Sequence, residues 1–142
     1  MKITASVFNL VFIASLLTGA GCSTMHKSDT AALQGQWQGK EIGGKTEGVC
    51  FFAVSGNNAE FRGADTNEWL KGIFILRADT NPRQLVSLTS ACSSPECVGK
   101  TVYAIYRIED GTLKLTGNEP GNPEVPASFD ASGARQFEFR RK

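Results

Sequence analysis

Histidine is almost missing from this chain of 142 residues: there is one, His26, and it precedes the folded region. A Ser/His/Asp or Cys/His nucleophilic centre therefore has no imidazole to serve as base. A zinc site fits the cysteine spacing poorly and gains nothing from a histidine so far upstream. A surplus of either charge is missing too. Only Lys2 of the 15 basic residues lies before Cys22, so the remaining 14 face 14 acidic ones. Nucleic acid is a poor partner for such a neutral domain, because phosphate neutralisation needs a basic surplus on one face. After the first 21 residues no 3.6-residue pattern runs for as many as ten residues, so no glycine loop can open a helix onto a phosphate. Glu41, Glu47, Glu60, Glu68, Glu109 and Asp110 fall near strand ends or turns, where carboxylates are ordinarily solvated, and an enzyme is not expected.

What is present is alternation. From Lys100 to Gly121, Val102, Ala104, Tyr106 and Ile108 alternate with Tyr103, Ile105 and Arg107, and Leu113 and Leu115 alternate with Thr112, Lys114 and Thr116. Asp110-Gly111 between these arms supplies a tight turn, so the stretch is a β-hairpin with one face turned to a core. Further strands are expected at Leu33–Ile42, Gly48–Val54, Ala59–Gly63, Trp69–Arg77, Gln84–Ser90 and Arg135–Arg141. The proline-bearing stretch Asn118–Ala134 has no period and reads as a surface connection. About eight short antiparallel strands hide their edges best by closing, which favours an all-β meander barrel over a sandwich. Leu33 to Lys142 is 142 minus 32, or 110, residues, so the barrel is small. Its interior is either filled by side chains or holds one small ligand. Trp69, Phe74, Tyr103 and Tyr106 are the aromatic candidates for a pocket wall, with core filling as the plain alternative.

The first 21 residues have the form of an export leader: a basic Lys2, an apolar run from Val7 to Leu17, and small residues up to Gly21. The run is short of the roughly 20 apolar residues that a spanning helix needs. Gly19-Ala20-Gly21-Cys22 resembles the lipobox of bacterial lipoproteins, with Gly19 where an aliphatic residue is usual. That resemblance implies lipidation of Cys22, anchorage to a membrane, and, through Ser23, an outer-membrane address facing the periplasm. Ordinary cleavage after Ala20 or Gly21 is the alternative. Residues 23–32 are polar and small and read as a tether. Export makes disulfides possible. Cys92 and Cys97 would close a small loop and are the preferred pair. Cys50, in an apolar run, reads as a buried hydrophobe, with its pairing to either other cysteine left open.

Gly35-x-Trp37 on the first strand resembles the signature of lipocalins, in which a basic residue of the last strand packs across the tryptophan at the closed end. Strand parity puts Arg141 on the inward side with Phe137 and Phe139, so the resemblance implies a structural plug of Trp37 and Arg141. The chain is also similar to a small lipocalin-like family of uncharacterised bacterial domains of planctomycete type. The likeness rests on the Leu-x-Gly-x-Trp start, Tyr106 to Leu115, Asn118-Glu-Pro-Gly121, Pro126, Phe129 and the closing Phe-x-Phe-x-Arg strand. It implies a fold and no activity or cofactor. Two functions follow as expectations: binding of a small apolar or amphipathic molecule, or a protein-interaction or envelope-structural role for a filled barrel.

Overall fold

The computed structural model describes residues 28–142, so the leader, Cys22 and the first half of the expected tether lie outside the described residues. Eight strands follow one another in chain order: β1 Gly35–Ile42, β2 Cys50–Ser55, β3 Asn58–Arg62, β4 Trp69–Arg77, β5 Arg83–Cys92, β6 Thr101–Glu109, β7 Thr112–Gly117 and β8 Arg135–Arg141. Each pairs antiparallel with the next, and β8 returns to β1, closing a barrel. The expected meander barrel is the observed fold. Closure leaves no strand edge unpaired.

Alternation decides what enters the barrel. Trp37, Cys50, Phe52, Val54, Phe74, Leu85, Ala104, Tyr106, Leu113, Leu115, Phe137 and Phe139 form one buried cluster. Phe139 packs against Phe52 in a tilted arrangement and stacks on Phe137, at centroid distances of 5.9 and 5.8 Å. Register follows the hairpin turns, as in the pairing of Ile108 with Leu113 and of Tyr106 with Leu115. Asp110 and Gly111 both have positive φ at that turn, which a two-residue hairpin loop of this type requires. β1 and β8 approach so closely at Gly39 that a Cβ there would collide with the Glu138 carbonyl.

Two segments behave differently from expectation. Ser28 to Ala32, read as the end of a tether, belong to the fold. Ser28 caps a short helix, α1 (Asp29–Leu33), by accepting a hydrogen bond from the Ala31 N–H at 3.2 Å. The Asp29 carboxylate accepts from the Tyr106 hydroxyl at 2.7 Å and from Arg83 at 2.9 Å. One turn of helix has too little length to show a period, and its partners lie 77 and 54 positions away along the chain. Asn118–Ala134 is a surface connection as expected, but it also buries part of the outer face of β6–β7. Thr116 donates to the Phe129 carbonyl at 2.9 Å, and Thr116 and its neighbour Ile105 are fully buried although they point away from the barrel axis.

Candidate functional site: an apolar cavity with a charged mouth

One end of the barrel is shut. Leu33 of α1 drops into it, and the Trp37 indole N–H donates to the Leu33 carbonyl at 2.9 Å. The Arg141 guanidinium lies 4.4 Å from the centroid of that indole and donates to the carbonyls of Gln34, at 2.7 Å, and Ala32. Gly35, with φ of 110°, turns the chain from α1 into β1 beneath the same guanidinium. The expected pairing of Trp37 with Arg141 is therefore present, and its added member is α1, which Arg141 ties down. Burial, followed by the hydrogen bond to Asp29, pushes the Tyr106 phenol above its ordinary pKa range.

The other end is open and leads into a cavity of about 380 Å³. That lies toward the lower end of the roughly 300–1,000 Å³ usual for small-molecule sites. Its walls come from seven strands, β2 to β8, chiefly through the inward residues Phe52, Phe61, Leu85, Ala104, Leu115 and Phe137. The space exists because small residues face one another where bulky ones could stand: Ala104 pairs with Gly117, and both line the cavity. Ser87 supplies a hydroxyl part-way along the wall. On the same inward row, Thr89 is buried and its hydroxyl has no hydrogen-bond partner among the described residues.

The mouth is polar and is built around Arg135. Its strand parity matches Phe137 and Phe139, so its stem enters the barrel and its guanidinium sits 5.2 Å from the Phe137 ring and 5.8 Å from Phe61. Two bonds of 2.8 Å join it to the two oxygens of Glu41. Further bonds join it to Glu68, one of them at 3.3 Å. These hydrogen bonds hold the Glu41 carboxyl below its ordinary pKa against the opposing effect of burial, and they raise that of Arg135. The reading of Glu41 and Glu68 as ordinary solvated strand-end carboxylates is thus corrected: an inward arginine draws both over the mouth. Parity on β8, which places Arg141 inside, places Arg135 inside as well and is the sequence signal for it.

Of the four expected wall aromatics, only Trp69 lines the cavity, at its rim. Its backbone is held there by Ser93, whose hydroxyl accepts from the Trp69 N–H at 3.2 Å, while its ring takes Lys71 at 5.8 Å. Phe74 is core filling, at 1% exposure. Tyr106 points inward as expected but belongs to the shut end with Asp29. Tyr103 falls on the outer row of β6 and pairs with Val86, because inward residues there are Val102, Ala104 and Tyr106. The Cys92–Cys97 disulfide forms between β5 and β6, and Ser93, Ser94, Glu96 and Cys97 make part of the rim. Cys50 is a free, buried thiol whose pKa burial pushes up. Among the described residues no group of three or more His, Cys, Asp or Glu is placed to hold a metal ion.

No family model, curated protein or solved structure matches the chain. The functional reading accordingly rests on the cavity, its mouth and the sequence itself.

Proposed function

We propose that the chain is an exported bacterial lipoprotein whose barrel binds a small apolar or amphipathic molecule. In this reading Cys22 carries the lipid, the protein is held at the outer membrane facing the periplasm, and α1 joins the anchor to the shut end of the barrel. The observation that carries the binding half is the cavity of about 380 Å³, apolar along its walls and polar only at Ser87 and the mouth. Apolar walls supply affinity, and a few placed polar groups orient the occupant. The leader and the lipobox-like Gly19 to Cys22 carry the other half. The likeness to small lipocalin-like domains is compatible with both.

A second reading, a protein-contact role, is favoured by one observation. Ile73, Ile75 and Leu88 stand on the outer rows of β4 and β5 and are 56%, 53% and 53% exposed. Adjacent exposed apolar residues of this kind mark contact surfaces more often than isolated ones do.

Native mass spectrometry of the full chain, extracted from the membranes of an expressing bacterium, tests the proposal. A diacylglyceryl mass that disappears in Cys22→Ser is expected, together with a second, non-covalent mass that organic solvent removes. A bare polypeptide mass in the parent, which differs from Cys22→Ser by no more than the exchange of sulfur for oxygen, would refute the anchor. Absence of any extractable mass and of any uptake of apolar dye would refute the ligand and favour the protein-contact role.

A further inference from the structure

The cavity mouth carries a charge arrangement that restricts the occupant. Among the described residues Arg135 is the only cation whose stem enters the barrel at the mouth, and its guanidinium is already committed on both sides, to Glu41 and to Glu68. One positive charge thus faces two carboxylates. Among the described residues Glu96, Glu119 and the cation Lys100 also reach the rim, and all three are exposed, so the uneven charge at the mouth is carried by Glu41 and Glu68 around Arg135. Lys100 is exposed, and its stem is laid against Gly121. Exposed lysines contribute little to fixing a partner.

An arriving carboxylate would have to displace Glu68 from Arg135, which leaves a negative group without its partner at a partly enclosed mouth. An arriving ammonium meets the surplus charge directly and leaves the Arg135–Glu41 pair intact. Glu41 is the better-covered member, with its side chain 15% exposed against 38% for Glu68. Glu68, more exposed while still bonded to Arg135, is therefore the carboxylate a ligand at the rim can share. Its position just before β4 also fits, because the backbone there is anchored by the Gly63 N–H donating to the Glu68 carbonyl at 2.9 Å, while the side chain remains at the rim.

We propose that the cavity selects an amphiphile with a cationic, amine-type head over one with a carboxylate head, and that Glu68 sets this preference. The inference rests on the reading of the barrel as a binding site and adds the class of head group. The apolar tail lies along Phe52, Leu85 and Leu115, and the head stays level with Glu68 at the mouth.

The test is displacement of neutral N-phenylnaphthylamine from the purified chain by dodecylamine, dodecanol and laurate, each below its micelle-forming concentration, at neutral pH and low salt. Dodecylamine is expected to displace the probe at a concentration roughly tenfold below that needed for laurate, with dodecanol between them. The gap is expected to narrow as salt rises, since mouth charges are screened. Glu68→Gln keeps the shape of the side chain and is expected to reduce the gap to about twofold. Lys100→Gln, which removes the exposed cation, leaves the gap at least as wide as in the parent. Laurate binding as tightly as dodecylamine, while dodecanol also binds, would overturn the head-group assignment and leave the cavity reading standing. An unchanged gap in Glu68→Gln would remove Glu68 from its role. Failure of the probe and all three amphiphiles to bind would defeat the cavity reading and this inference together.

Discussion

Replacing Trp37 with Ala tests how the barrel is shut. The indole is 1% exposed, so its loss removes a large buried aromatic, which costs about 3–5 kcal/mol by itself. The Leu33 carbonyl loses the indole N–H as a partner, a penalty of about 1 kcal/mol. Arg141 loses the ring beneath it, about 0.5–1 kcal/mol for a guanidinium still reached by water. These contributions overlap, so the expected loss is about 4–5 kcal/mol, a large share of the roughly 5–15 kcal/mol typical of a domain. Trp37→Phe keeps a ring for Arg141 and gives up the hydrogen bond and some volume, with an expected loss of about 1–2 kcal/mol. Equilibrium unfolding in urea, followed by far-ultraviolet circular dichroism, measures both without relying on the altered tryptophan. Arg141→Met completes a double-mutant cycle, with an expected coupling to Trp37 of about 0.5–1 kcal/mol. A Trp37→Ala loss below about 1 kcal/mol would refute the plug, because no buried aromatic with these partners is so cheaply removed.

Other perturbations address separate parts of the molecule. Tyr106→Phe removes the hydroxyl that donates to Asp29 and should cost about 1–2 kcal/mol in the same urea assay; no loss would show that α1 is not held by this contact. Glu41 has a folded-state pKa below its ordinary value of 4.5, so its contribution is complete above that pH and is lost as pH falls through the lower folded value. The urea midpoint should therefore drop on acidification below pH 4.5, and the part of the drop due to Glu41 should vanish in Glu41→Gln. Breaking the Cys92–Cys97 bridge with Cys97→Ser should cost about 2 kcal/mol from the short loop it closes and should weaken dye uptake, since the loop forms part of the rim. Equal uptake by the parent and the variant would place the occupant away from that rim.

The strands were legible because their signal is local. Period-two alternation with Asp110-Gly111 between the arms determines the hairpin of β6 and β7, and Phe137 and Phe139 determine the inward face of β8. Closure followed from the need to hide two sheet edges. The site was less legible because its residues are recruited across the barrel. Glu41 and Glu68 look like solvated strand-end acids until β8 brings Arg135 between them, from 94 and 67 positions away. Parity alone could not distinguish Tyr106, at the shut end, from Leu115, on the cavity wall. Both point inward as cross-strand partners, and what separates them is the reach of the Tyr106 phenol to Asp29 at the shut end, while Leu115 lines the cavity. Tyr103 was misplaced for the opposite reason: it is aromatic and close in sequence to the wall, yet alternation turns it out. The cavity itself arises from two small residues, Ala104 and Gly117, meeting across β6 and β7, a pairing that register sets and composition does not reveal.

That pairing also gives the most direct test of the cavity as a binding site. At Gly117 an added Cβ would find its nearest neighbour, the Ala104 Cβ, at 3.4 Å, so a larger side chain can be grown there into the open space. Titration of the parent and of Gly117→Leu with N-phenylnaphthylamine compares an open barrel with a filled one. Saturable one-to-one uptake by the parent and a loss of roughly tenfold or more in affinity in the folded variant are expected, since the side chain occupies the ligand's volume. Equal affinity in the two proteins, or no saturable uptake by the parent, would contradict a ligand inside the barrel.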